Sequence, residues 1–188
     1  MGTTSDIRKG LTIRHNHDIY TIVEFLHVKP GKGAAFVRTK IKSLTTGKVL
    51  DNTFPTSAKI DIVRVERRSY QYLYREGDSF IVMDQETYDQ IPIMEEKIPS
   101  AKFIKEGDVV EVLFNTEDDS ILQVEAPQTT VLEVTYTEPG IKGDTATNTL
   151  KPAKVETGAE VRVPLFINIG DFVKIDTASG NYMERVRK

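Results

Sequence analysis

The sequence predicts an all-β chain folded as three consecutive small β-barrel domains. Three observations carry that expectation. β-branched and aromatic residues gather in short runs, some with strict period-two alternation. No stretch long enough for a stable helix keeps a 3.6-residue period. Gly-Asp pairs stand at the head of successive apolar runs, where glycine supplies the positive φ of a turn and aspartate bonds back to nearby amides. Many short strands between frequent turns favour barrels over a sandwich, because closing a sheet removes its exposed edges.

Taken in order, the strongest strands are Tyr20–Val28 and Ala35–Lys42, the second with clean alternation. Further strands are expected at 60–65, 69–74, 80–83, 109–114, 121–124, 131–136, 160–163 and 172–175. Residues 85–90 could form at most a helical turn or two. Gly77-Asp78, Gly107-Asp108 and Gly170-Asp171 each lead into an apolar strand, and Gly158-Ala159-Glu160 does much the same. Ala101-Lys102-Phe103 with Gly107, Val110 and Val112 echoes Ala153-Lys154-Val155 with Gly158, Val161 and Val163. That echo, about 50 residues apart, suggests two copies of one small barrel. Domains are expected at 1–65, 66–127 and 128–188; Pro127-Gln128 marks the second break, and the first has no such marker.

Composition narrows the function classes. With 39% apolar residues and charges of both signs among 188 residues, the chain can bury a core. No apolar run exceeds four residues, so no membrane span is expected, and the N-terminus lacks a signal-peptide pattern. The absence of cysteine removes disulfides, thiolate metal sites and cysteine nucleophiles, and agrees with a cytoplasmic location. The net charge of −3 is unevenly spread: residues 1–64 carry +6, residues 65–127 carry −9, and the remainder is balanced. Between Glu24 and Asp51 there is no acid, yet Lys29, Lys32, Arg38, Lys40, Lys42 and Lys48 all fall there. A basic first third on an acidic chain suggests a polyanion met by one end; a solvated basic hairpin without a partner is the plainer reading.

The segment Lys29-Pro30-Gly31-Lys32-Gly33-Ala34 joins the two strongest strands. Pro30-Gly31 favours a type II turn with positive φ at Gly31, and Gly33 frees the backbone again. Lys32 then stands between two residues without side chains. Arg38, Lys40 and Lys42 alternate with Val37, Thr39 and Ile41, which puts three cations on one face of the stem. Such a stem could track a phosphate backbone while the tip probes further. Other chemistry finds little support. His15-x-His17 could place two imidazoles on one strand face, but further ligands are lacking and no metal is expected. Residues 115–120, with Glu117-Asp118-Asp119, read as a hairpin turn. Tyr70, Tyr72 and Tyr74 alternate and could either stack bases or pack a barrel.

Three stretches together resemble a known family. Lys29-Pro30-Gly31-Lys32-Gly33-Ala34-Ala35-Phe36 is similar to the loop of bacterial elongation factor P. Gln71-Tyr72-Leu73-Tyr74, Gly77-Asp78, Phe80 to Asp84 and Glu86-Thr87-Tyr88 resemble that family's second domain. The run from Lys151 through Ala153, Val155-Glu156-Thr157-Gly158, Val161, Val163-Pro164 and Phe166-Ile167 to Gly170 resembles its third-domain signature. The likeness spans the chain, and the third domain separates it from the two-domain archaeal and eukaryotic relatives.

The resemblance implies an SH3-like N-terminal barrel followed by two OB-fold barrels, in an elongated L shape like a tRNA. It implies a monomeric, non-enzymatic translation factor without cofactors that binds the ribosome, through its rRNA, between the P and E sites. There such factors relieve stalling at consecutive prolines. Lys32 would reach the acceptor end of the P-site peptidyl-tRNA beside the peptidyl-transferase centre, and in many members this lysine is extended by a modifying enzyme. Because the tip is Lys, the resemblance points away from the arginine-rhamnosylated branch. Lys29, Arg38, Lys40 and Lys42 would contact the RNA backbone, with Pro30, Gly31 and Gly33 setting the loop. Gly143-Asp144-Thr145 would lie near the mRNA and small subunit, and Gly180, Tyr182 and Arg185 near the anticodon stem. The competing reading is a general single-stranded nucleic-acid-binding barrel protein.

Overall fold

The computed structural model describes residues 1–140 and 149–187. Its strands are β1 (Gly2–Thr3), β2 (Thr12–His15), β3 (Asp18–Val28), β4 (Phe36–Ser43), β5 (Val49–Pro55), β6 (Lys59–Ile62), β7 (Val65–Glu76), β8 (Ser79–Asp84), β9 (Gln90–Met94), β10 (Val109–Asn115), β11 (Ile121–Glu125), β12 (Thr129–Thr137), β13 (Leu150–Val155), β14 (Glu160–Pro164), β15 (Phe172–Asp176) and β16 (Tyr182–Val186). They form three sheets, ordered β1-β6-β2-β3-β4-β5, β11-β10-β7-β8-β9 and β14-β13-β12-β15-β16. The chain is all-β, as expected; among the described residues helix is confined to three-residue 3-10 turns, and none is long and apolar enough to cross a membrane. Residues 85–89 form a single turn between β8 and β9, in which the Tyr88 amide donates to Asp84 O at 3.0 Å. Two compact units emerge: Met1–Arg68 with Val112–Gln123, and Ser69–Glu111 with Val124–Lys188.

Each sheet contains one long strand carrying a β-bulge: β3 after Ile22, β7 after Tyr72 and β12 after Val134. A bulge bends a strand and raises its local twist. In β12 the bend divides the labour, since Thr129–Glu133 pairs with β15 and Val134–Thr137 with β13. Each residue before the bulge exchanges two backbone hydrogen bonds with a glycine turn. The Gly10, Gly107 and Gly170 amides donate to the carbonyls of Ile22, Tyr72 and Val134, each at 2.8 Å. In return the amides of Ile22, Tyr72 and Val134 donate to the carbonyls of Leu11, Asp108 and Asp171 at 2.8–2.9 Å. The three glycines have φ of 85–92°, a region side chains avoid.

This clasp corrects the repeat expected from the sequence. The first half of the echo joins unlike structures, since Ala101–Phe103 is a 3-10 turn whereas Ala153, Lys154 and Val155 lie in β13. The second half joins like ones, with Gly107 and Gly158 at positive φ ahead of β10 and β14. The turns that correspond within the clasp are Lys105–Asp108 and Asn168–Asp171. In each the aspartate carboxylate accepts the amide three residues earlier, Lys105 at 3.0 Å and Asn168 at 2.8 Å. Gly77-Asp78 does a different job as the two-residue connection of the β7–β8 hairpin.

In the first unit the core gathers Ile7, Leu11, Ile13, Tyr20, Ile22, Val37, Ile41, Phe54 and Ile60. In the second, Phe103 joins Leu132, Val134, Ala153, Val155, Val161, Val163, Ile167, Val173 and Ile175 in one core. The Phe103 segment is tied down on both sides: Thr157 Oγ1 donates to Lys102 O at 2.6 Å, and Lys105 Nζ donates to Val131 O at 2.6 Å. Gly180, at φ 73°, leaves room for that ring, since a Cβ there would stand 3.0 Å from Phe103 Cζ.

That close approach is testable. Gly180→Ala should lose about 2–4 kcal/mol, combining left-handed strain with displacement of a buried ring. Gly158→Ala, at φ 83° with nothing within 4 Å of the new Cβ, should lose only the strain of about 1–2 kcal/mol. Urea unfolding of the full chain checks this; equal losses would show that Phe103 yields freely.

Candidate functional site

The β3–β4 hairpin runs past the first core as a finger. Its ladder extends from Tyr20↔Ser43 to Val28↔Phe36, and residues 29–35 form the tip. Asp18 fixes its root. The carboxylate accepts from Ser43 Oγ at 2.7 Å, Thr45 Oγ1 at 2.7 Å and the Ile19 amide at 2.8 Å. Burial alone would raise the Asp18 pKa, but the Thr45, Ser43 and Ile19 donors together hold it below the ordinary value of 3.8. The far end of the tip is held as well: Ala35 O accepts both the Thr56 amide, at 3.2 Å, and the Thr56 hydroxyl.

The tip departs from the expected type II turn. Positive φ falls on Gly33, at 114°, and Gly31 has none. The seven residues between Val28 and Phe36 spread the reversal, so no four-residue turn has to close at Pro30-Gly31. Residues 29–34 are exposed. Among the described residues nothing pairs with the Lys32 ammonium.

On the stem, Arg38, Lys40 and Lys42 are exposed and Val37, Thr39 and Ile41 are buried. The three cations are not equivalent. Lys40 pairs with Glu24 at 3.0 Å and stands opposite Asp51 in the β5 register. The hydrogen bond to Glu24, then its charge, raises the Lys40 pKa. Arg38 is flanked by Leu26 and Thr53, and Lys42 by Thr21 and Val49, so both keep their charge uncompensated among the described residues.

Of the distal residues, Gly143, Asp144 and Thr145 lie outside the described residues. Tyr182 is half-buried against the second core, and burial pushes its phenol pKa up. Arg185 lies over the Phe166 ring at 5.6 Å, with Nη1 3.8 Å from Asp171 Oδ2.

Two sequence alternatives are overturned. His15 and His17 do not share a strand face: Asn16 and His17, at φ 47° and 65°, form the turn joining β2 to β3. The His15 ring instead packs edge-on against Tyr20 and Phe54. Tyr70 and Tyr72 are buried, Tyr72 against Phe80 at 4.7 Å, and the bulge breaks their alternation with exposed Tyr74. They cannot form a stacking platform. Residues 115–120 form the expected hairpin turn, closed from the Asn115 amide to Ser120 O at 2.9 Å. Sequence reasoning missed Asp18, Glu24 and Thr56. Glu24 alone carried a signal, as the last acid before the basic stretch.

Comparison with known proteins covers the chain in three stretches. The elongation factor P KOW-like domain matches residues 3–60, the elongation factor P OB domain 65–124, and the elongation factor P C-terminal domain 130–185. An elongation factor P of Flavobacterium johnsoniae is 61% identical over 188 residues, covering 100% of both chains. One of Chloroflexus aggregans is 55% identical over 186 residues, covering 98% of each. Among solved structures, a translation initiation factor eif-5a family protein of Naegleria fowleri is similar in fold, with TM-score 0.51 and 22% identity. That likeness covers 65% of this chain and 95% of that one.

The finger's root gives a pH-dependent prediction. Because the folded pKa of Asp18 lies below 3.8, its contribution is complete above that value and disappears as pH falls through the folded pKa. Asp18→Asn should therefore cost about 1–3 kcal/mol near neutral pH, with the gap to wild type closing in acid. Denaturant unfolding across the acid range checks it; a gap that persists at the lowest pH contradicts it.

Proposed function

Because the chain belongs to the elongation factor P family, we propose that it binds the ribosome between the P and E sites and restores peptide-bond formation at stalled prolines. In this reading Lys32 steadies the acceptor end of the P-site tRNA, and a modifying enzyme lengthens that lysine. One observation carries it: a cation with no partner among the described residues stands at the end of a finger held by Asp18 and Thr56. Proline is a constrained, sluggish substrate, so what it lacks is alignment. Alignment alone can contribute several kcal/mol without any chemistry by the factor. An ammonium placed among phosphates holds an RNA end by charge-assisted hydrogen bonds. An unmodified lysine is a compact charge on a flexible stem; lengthening it extends its reach along the tRNA.

Arg38 and Lys42 follow as backbone contacts, with Lys40 able to join by leaving Glu24. The modules take the bounds 1–65, 66–127 and 128–188, close to the three family matches. Gly143, Asp144, Thr145, Tyr182 and Arg185 make the distal contacts. The strongly acidic central stretch keeps non-specific RNA binding low and leaves contact to the ends.

The test is translation of a Pro-Pro-Pro reporter with wild-type and Lys32→Ala protein. Wild type should relieve the stall and the variant should fail, while a reporter without consecutive prolines is unaffected. A small uniform loss of RNA affinity, with polyproline synthesis intact, would instead indicate a general single-stranded nucleic-acid binder.

A further inference from the structure

The finger has a second face that the cationic reading leaves unused. Phe25 pairs with Thr39 and His27 with Val37, so both aromatics lie on the face opposite Arg38, Lys40 and Lys42. Their rings meet edge to face, with centroids 5.7 Å apart and planes at 87°. Such a pair leaves each aromatic with a face that the other does not cover. Phe25 is 41% exposed and His27 is exposed, although their cross-strand partners Thr39 and Val37 are buried. Shielding Val37 and Thr39 would need only aliphatic bulk. An outward aromatic pair is a poor lid but a suitable stacking surface.

We propose that Phe25, with His27 orienting its ring, is a base-stacking residue for the unpaired 3′ end of an RNA lying along the finger. The proposal rests on the ribosomal reading above and adds a contact to it. Arg38 and Lys42 hold phosphates on one face, and Phe25 takes a nucleobase on the other. Phosphate contacts position a strand without fixing its bases, whereas an aromatic ring accepts any base by its π-face and restrains the strand's rotation. At a strand rise of about 3.3 Å per residue, Phe25 lies about 10 Å behind Val28 along the finger. A single-stranded end that meets Lys32 at the tip can therefore continue past it.

The full-length protein tests this with Phe25→Leu, which keeps apolar bulk but loses the ring, and Phe25→Trp, which keeps a π-face. Lys32→Ala runs beside them in the polyproline reporter, and melting is recorded for each. Phe25→Leu should slow polyproline synthesis about fivefold or more, and Phe25→Trp should stay within about twofold of wild type. Both should melt within about 2 °C of wild type, as surface substitutions do. The proposal is overturned if Phe25→Leu is as active as wild type, if Phe25→Trp is equally impaired, or if lost stability accounts for the defect. An impaired Lys32→Ala beside a fully active Phe25→Leu removes this inference alone; a fully active Lys32→Ala removes the underlying reading with it.

Discussion

The fold depends on one backbone exchange made three times. A strand bent by a bulge loses its ladder at the bend, and the residue before it would otherwise bury an amide and a carbonyl without partners. Each such orphan costs on the order of 1–3 kcal/mol. The turns closed by Gly10, Gly107 and Gly170 take both groups. Ile22, Tyr72 and Val134 can then be buried while their strands change direction. Only a residue without a side chain adopts the required φ at little cost. In β12 the bend lets one strand serve two neighbours. In β3 it has a further consequence, because the strand leaves the Ile22 core there and runs on toward Val28 as the finger.

The finger's stiffness and its charge come from different parts of it. Stiffness comes from a ladder that resumes past the bulge at Glu24↔Lys40 and reaches Val28↔Phe36, from Asp18 at the root and from Thr56 bonding the carbonyl that closes the tip. Charge comes from Lys32, Arg38 and Lys42, which no described carboxylate compensates. Lys40 differs, yet its pair with Glu24 is exposed, and such pairs add little to stability because water screens them. In the proposed function it can exchange Glu24 for a phosphate with little loss. A rigid carrier matters because each ångström of play at the tip spends part of the alignment that the proposed activity supplies.

The second unit shows that family modules and physical packing need not divide a chain alike. Phe103 lies within the stretch matched by the OB domain, yet its ring belongs to the core built by residues 132–175. Thr157, Lys105 and Gly180 fix it there. Burying a phenylalanine contributes about 2–3 kcal/mol, and its loss would leave a cavity at the centre of the later core. The turn at 101–105 is thus shared structure, and no flexible break is available there.

Local chemistry was legible because it depends only on neighbours in sequence. The alternation of Val37, Thr39 and Ile41 with Arg38, Lys40 and Lys42 follows from strand geometry alone, and Gly107-Asp108 and Gly170-Asp171 announced their turns. β1, β2, β5, β9, β13 and β16 are not among the strands expected from the sequence, and three of them contain a proline, Pro55, Pro92 and Pro152. Two of these prolines lie on edge strands, and Pro152 leaves its carbonyl to Thr137 Oγ1 at 2.9 Å. The sequence by itself determined the all-β class, the finger with its exposed lysine and the family. Tertiary structure alone decided which tyrosines were buried, that Glu24 meets Lys40, that Phe103 serves a distant core and that Phe25 faces outward beside His27. Each of those depends on long-range contacts, strand register for the tyrosines, Glu24 and Phe25 and side-chain bonds from Thr157 and Lys105 for Phe103, which no local run of residues encodes.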